Sequence, residues 1–389
     1  MTLRGITWDH PRGRDALEAA AAEAREAGDL DLEWSAHPLE GFESHPIDDL
    51  AQNYELIVLD HPHLGEALEH GSLQPLDAVV GAADIERWSH QAVGPSFDSY
   101  SVDGYQWAVP LDAAAQVAVH DSRLLGTPPA TWAEVADLAR SAPVALSLAG
   151  PHAFLTFASL CVAFGEAPAQ HPADGPIVTD ETAARALEVM RGIGERVPEG
   201  TSGLNPIGLL ERMSTAGDIA YCPLVYGYVT YSSPSIRFAD APVAVPGGRH
   251  GSTIGGTGLA VSAHTEVTPE LVAHIRHLMD PQTQRGFIPQ HAGQPSNRAA
   301  WLDAEVNRDS ADFYRSTLAT LDDSWVRPRF AGYIPFQTAA SAIVREIVTG
   351  ELGIEPGIRR LNEAFAAAPI DGHAAADASV PTRSTAERV

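Results

Sequence analysis

Apolar and polar positions fall into short alternating blocks along the first sixty residues. The mainly apolar run Leu3 to Trp8 gives way to Asp9-His10-Pro11-Arg12-Gly13, and Ala16 to Ala27 follows, rich in Ala and Glu. That order predicts strand, loop, helix. Leu30 to Ser35 repeats the strand signal, Ile47 to Tyr54 reads as helix, and Leu56 to Leu59 is a short buried strand. Strands alternating with helices predict an α/β protein whose sheet is mostly parallel and covered on both faces. Ligands of such sheets bind beyond the carboxyl ends of the strands. Three polar loops occupy those ends: Asp9 to Arg12, His37 to Phe42, and Asp60 to His63. Further on, Thr131 stands three residues before Glu134, the spacing of a capping box that starts a helix.

A chain of 389 residues with 44% hydrophobic content is long enough for about two domains, each with an ordinary core. All 25 cations are Arg, against 51 Asp and Glu, for a formal charge of -26. A surplus of that sign opposes nucleic acid and anionic lipid as partners. With no Lys in the chain, Schiff-base and Walker A chemistry are excluded. Cys161 and Cys222 stand apart in apolar settings, without metal-ligand spacing, and are expected to be buried free thiols. No apolar run reaches the ~18 residues of a spanning helix, so no membrane insertion is expected. No signal-peptide pattern is seen at the amino terminus. A full-length chain is then expected in the cytoplasm, and one with a trimmed leader in the periplasm or outside the cell.

The stretch Val109 to Glu134 resembles the first crossing between lobes in extracellular solute-binding proteins of sugar-type ABC importers. The resemblance continues in order. HGSLQPLDAVV (His70 to Val80), DGYQWAVPLD (Asp103 to Asp112) and AGDIAYCPLVYGY (Ala216 to Tyr228) are similar to segments of that family. So are VAVPGGRHGSTIGGTGLAVSA (Val243 to Ala263), TPELVAHIRHLMDPQTQRGF (Thr268 to Phe287) and VRPRFAGYIPFQ (Val326 to Gln337). The resemblance implies a type II periplasmic-binding-protein-like fold. Its two discontinuous lobes, residues 1–110 with 256–320 and 111–255 with 321–369, would be joined by hinge crossings and close around a ligand. Residues 370–389, rich in Ala, Asp, Ser and Thr without periodicity, read as a disordered tail.

Positions in the matching loops then supply the expected ligand contacts. From the first lobe they are Trp8, Asp9, His10, Arg12, Glu40, Phe42, His61 and His63. From the second lobe and the crossings they are Asp112, His152, Phe154, Tyr226, Tyr228, Arg249, Gly255, Gly256, Phe330 and Tyr333. Aromatic faces beside carboxylate, Arg and amide groups suit sugars, which present C–H faces and rings of hydroxyls. Trp107 is a further candidate platform, and about half of the aromatic set Trp8, Phe42, Trp107, Tyr226, Tyr228, Phe330 and Tyr333 is expected to be buried away from ligand. Two departures weaken a carbohydrate assignment: Thr257 where sugar-binding relatives often carry Trp, and His120-Asp121 where they often carry Tyr-Asn.

The expected partners are a small polar molecule and, if the chain is exported, an ABC permease; the oligomeric state is open. No cofactor is expected. One alternative is a divalent metal on His10, His61 and His63, accompanied by Asp9 and Asp60, with His37 or His45 nearby. Another is a leaderless cytoplasmic enzyme or sensor using Asp9 or Glu40 with His10 or His61 as acid and base. No nucleophile motif supports catalysis.

Overall fold

In a computed structural model the chain is described over residues 2–369. The tail expected to be disordered lies outside the described residues, as does the side chain of Glu40. Strands β1 (Leu3–Trp8), β2 (Leu32–His37) and β3 (Leu56–Leu59) form as the apolar blocks predict. A small hairpin of β4 (Ser101–Val102) and β5 (Tyr105–Gln106) precedes the long strand β6 (Val109–Asp121). Strands β7 (Tyr221–Tyr226), β8 (Ile236–Ala239) and β9 (Ile254–Val261) complete the set.

The main sheet has the order β2-β1-β3-β9-β6-β7, with β8 also paired to β6. It is mixed, which corrects the expectation of a mostly parallel sheet. β1 runs parallel to β2 and β3, while β3–β9, β9–β6, β6–β7 and β6–β8 are antiparallel. The reason is topological: β6 and β9 are crossing strands entering from opposite directions, whereas right-handed helical crossovers give parallel neighbours.

β6 ties the molecule together. Its first part, Val109 to Ala115, pairs with β9, and its second part, Gln116 to Asp121, pairs with β7 and β8. All thirteen of its residues are buried. Pro110 lacks an N–H, and the β6–β9 register slips between Pro110 and Asp112. The slip leaves Leu111 without a partner across from it and sets Asp112 opposite Thr257, the re-aiming a bulge provides.

The helix after β1 begins at Pro11, earlier than the composition predicts, and ends at Gly28 in the left-handed conformation (φ 76°). Pro suits the first turn because its missing N–H would be unpaired there anyway. His10 is the cap, its Nδ1 accepting from the Arg12 N–H at 3.2 Å. Arg12 is therefore fixed in a helical first turn rather than in a loop. The Thr131–Glu134 capping box forms as predicted, each residue accepting from the other's backbone N–H.

Two main apolar clusters fill the interior. One runs from the first three strands, with Trp8, Leu17, Leu56 and Trp88, along β6 to Leu209, Cys222 and Phe238. The other packs Trp132, Phe154, Phe157, Tyr221, Phe336 and Phe365. Helix His152–Ala163 is buried at every position, as expected for a helix apolar on all sides. Both cysteines are free and buried, and burial pushes the Cys222 thiol up to about 12. Among the described residues no helix is long and apolar enough to cross a membrane.

Candidate functional site

The ends of β1, β3 and β7 meet the crossing strand β9 at a chamber of about 60 Å³. Its aromatic lining is Trp8, Phe42, Tyr226 and Tyr228. Polar groups enter from Arg12, Glu43, Asp60 and His152, and the backbone of Gly255, Gly256 and Thr257 forms one side. Leu39, on the short helix Leu39–Phe42, completes the wall.

Two glycines are required by the close approach of β9 to its neighbours. A Cβ on Gly255 would stand 2.5 Å from Tyr226 Cε1. Gly256 has φ 95°, and a Cβ there would stand 2.3 Å from the Asp112 carbonyl oxygen. Side chains at these positions would displace the ring and the strand that shape the chamber.

A buried ion pair closes one flank. Arg12 donates from Nε to Asp112 Oδ2 at 2.7 Å and from Nη2 to Oδ1 at 2.5 Å, with both side chains at most 5% exposed. Its Nη1 donates to the Gly227 carbonyl at 3.0 Å, and its guanidinium lies 4.7 Å from the Tyr228 ring centre. Burial alone would lower the Arg12 pKa, but Asp112 more than offsets it and the group is raised. Burial acts on Asp112 in the other sense, raising its carboxyl against the pull of Arg12.

A second pair closes the back. Arg327 Nη2 donates to both carboxylate oxygens of Asp60, at 2.6 and 2.5 Å. The Arg327 backbone N–H donates to His61 Nε2 at 3.2 Å, which places the imidazole proton on Nδ1, facing Asp60 Oδ1 at 3.1 Å. Burial alone would raise Asp60, yet Arg327 and His61 hold it well below the carboxylate range. His61 is lowered to about 4, first by burial and then by Arg327.

Several buried polar atoms have no hydrogen-bond partner among the described residues. In the lining these are both ring nitrogens of His152 and Thr257 Oγ1; behind it are Trp8 Nε1, turned against Gly13 of the first helix, Arg327 Nε and the Tyr333 hydroxyl. His152 Nε2 lies 3.5 Å from Glu43 Oε1, a charge contact only when the imidazole is protonated. Unpaired buried polar groups cost about 1–3 kcal/mol each, so a hydroxyl-rich guest would relieve a real penalty.

The structure brings Trp8, Arg12, Phe42, His152, Tyr226, Tyr228, Gly255 and Gly256 to the chamber wall. His10 stacks behind Trp8 at 5.2 Å, its pKa lowered to about 4 chiefly by burial. Asp112 stands behind Arg12, and His61, His63 and Tyr333 are buried. Other expected residues lie elsewhere. Asp9 is exposed and pairs with Arg14. Phe154 is a core ring against Phe157 and Phe336, because its helix is buried all round. Arg249 is a surface residue beyond the Gly247-Gly248 turn and donates to the Asp323 carbonyl. Phe330 packs half-buried against His171 and Phe365, and Trp107 bonds the Val102 carbonyl near the small hairpin. Leu39, Glu43, Asp60 and Thr257 join the wall without having been singled out as ligand contacts. Asp60 and Thr257 sit in segments whose strand-end or crossing position was readable. Among the described residues no group of three or more His, Cys, Asp or Glu is placed to hold a metal ion, so His10, His61 and His63 do not form the alternative centre.

A mixed α/β sheet whose crossing strands enclose a small polar and aromatic chamber defines a two-lobed binding-protein fold. The chain belongs to the family described as bacterial extracellular solute-binding protein, whose model matches residues 48–313. None of the curated proteins matches it. Among solved structures it is similar to an ABC transporter solute-binding protein from Agrobacterium radiobacter K84 in complex with ribitol. That pair shares 18% identity over 94% of this chain and 98% of the other, with a TM-score of 0.78. The maltose-bound MalE3 of T. maritima is similar at 19% identity, 94% and 98% coverage and a TM-score of 0.77. A Thermotoga lettingae TMO solute-binding protein bound with alpha-D-tagatose is similar at 13% identity, with the same coverage and a TM-score of 0.76.

Proposed function

We propose that this protein captures a small uncharged sugar or polyol in the chamber between its lobes and delivers it to an ABC permease outside the cytoplasmic membrane. The observation that carries this reading is the set of unpartnered buried polar atoms in an aromatic wall, on His152 and Thr257. Hydroxyls both donate and accept, so a polyol satisfies such a mixed set, while its C–H faces pack on Tyr226, Tyr228 and Phe42. The likeness to structures holding ribitol, maltose and tagatose supports the same ligand class. The lobes are residues 1–110 with 256–320 and 111–255 with 321–369; in support, every member of the second core cluster falls in the latter set. Contacts from both lobes favour the closed form, since only differential affinity shifts the equilibrium between open and closed forms.

Native mass spectrometry of protein purified gently from its own host tests the reading. A retained, unchanged guest of sugar or polyol mass is expected. A guest converted to product over time, or a stoichiometric metal ion, overturns it.

A further inference from the structure

We propose that Glu43 makes this cleft selective for charge, admitting neutral sugars and polyols and their protonated amino analogues while rejecting carboxylated and phosphorylated ones. The proposal rests on the sugar-or-polyol reading above and adds the ligand's charge. Any anionic guest needs a free cation. Arg12 commits both of its donor edges to Asp112 and Gly227; Arg327 gives Nη2 to both oxygens of Asp60, and its unpartnered Nε is buried behind the wall, outside the lining. Turning either guanidinium toward a guest would strand a buried carboxylate, a larger loss than the gain.

Glu43 differs from those groups in three ways. Its side chain is 26% exposed, against 3–4% for the two guanidiniums and 19% for Asp60, so among the described charged residues of the wall it is the one most open to an entering molecule. Its contact is an imidazole, not a guanidinium. It also stands at the junction of the two halves, at the end of helix Leu39–Phe42 and facing the first turn of helix His152–Ala163. An ionised carboxylate accepts hydrogen bonds only, while His152 beside it offers one donor and one acceptor when neutral. Together they suit adjacent hydroxyls, or a hydroxyl next to an ammonium, whose bond to Glu43 is charge-assisted. A guest carboxylate or phosphate placed there meets a like charge.

Calorimetric titration of the intact protein at neutral pH with glucose, glucosamine and glucuronate, and with the galactose counterparts, tests this. In a series that binds, the amine is expected to bind at least as tightly as the neutral sugar and the uronate at least about tenfold more weakly. In Glu43→Gln the amine should lose its advantage and the uronate should recover toward the neutral sugar. A uronate that matches its neutral parent in the unaltered protein overturns the charge selection while leaving the ligand class standing. So does an amine about tenfold weaker than its parent, or a ranking unchanged by Glu43→Gln. Silence from all six sugars, and from ribitol, mannitol and maltose titrated beside them, overturns the ligand class and this proposal together. The ranking in the unaltered protein decides even if the variant does not fold.

Discussion

Replacing Arg12 with Met strands Asp112, whose side chain is 5% exposed and whose carboxylate currently receives two guanidinium bonds. Removing one partner of a buried ion pair costs about 3–5 kcal/mol, because the remaining charge keeps its desolvation penalty and loses its compensation. With the whole chain unfolding as one unit at roughly 2.1 cal/mol/K per residue, each kcal/mol moves Tm by about 1.3 °C, so a drop of roughly 4–7 °C is expected in a thermal melt. The double variant Arg12→Met, Asp112→Leu removes both charges and should regain at least half of the loss. Acidity supplies an independent check. Once Arg12 is gone, burial acts on Asp112 against the Gln294 backbone N–H alone and raises its folded pKa above the unfolded ~3.9. The stranded charge then destabilises above that raised value. Its penalty recedes as pH falls through it, because the folded carboxyl takes up its proton before the unfolded one does. The deficit of the single variant should therefore be smaller at pH 5 than at pH 7.5. A deficit below about 1 kcal/mol, or one that neither the second substitution nor acid reduces, would refute the account of this pair.

His61 is buried with its pKa lowered to about 4, so its contribution is fully present above the unfolded ~6.5 and is lost as pH falls from there toward 4. The loss approaches roughly 3 kcal/mol, and urea midpoints measured between pH 7 and 4.5 should fall less steeply in His61→Asn than in the unaltered chain. Gly256→Ala should cost about 2 kcal/mol or more through its positive φ and the Asp112 carbonyl beneath it, read as a lower melting temperature. Gly255→Ala should displace the Tyr226 ring and weaken sugar or polyol binding in a calorimetric titration; unchanged affinity would remove Tyr226 from the site. Trp8→Ala should weaken binding and stability together, by about 3–5 kcal/mol for the latter in chemical denaturation, since its indole is 2% exposed.

Much of the architecture was legible in the chain because its signals are local. The first three strands, the polar loops at their ends and the Thr131–Glu134 box each depend on neighbours a few residues apart. Strand direction is not local: β3 finds β9 nearly two hundred residues later, and an apolar run reads alike in either direction. The start of the first helix was missed because its cap is His10 rather than Ser, Thr, Asp or Asn. The order of family-like segments placed Trp8, Arg12, Tyr226 and Gly255 together, but nothing local shows that Arg12 belongs to Asp112 or that Asp60 belongs to Arg327. Phe154 and Arg249 show the converse error: position in a matching segment says nothing about which way a side chain turns. Glu43 lay one residue past the last position nominated in its loop.

Strand β6 has a consequence for how the molecule comes apart. Because one continuous backbone supplies a ladder to β9 along one stretch and to β7 and β8 along the next, neither half can melt without stripping an edge from the other. Differential scanning calorimetry should accordingly record a single endotherm, and two resolved peaks would show that the shared strand does not enforce cooperativity. A protein assembled this way trades the independence of its halves for common failure: damage to either is felt in both.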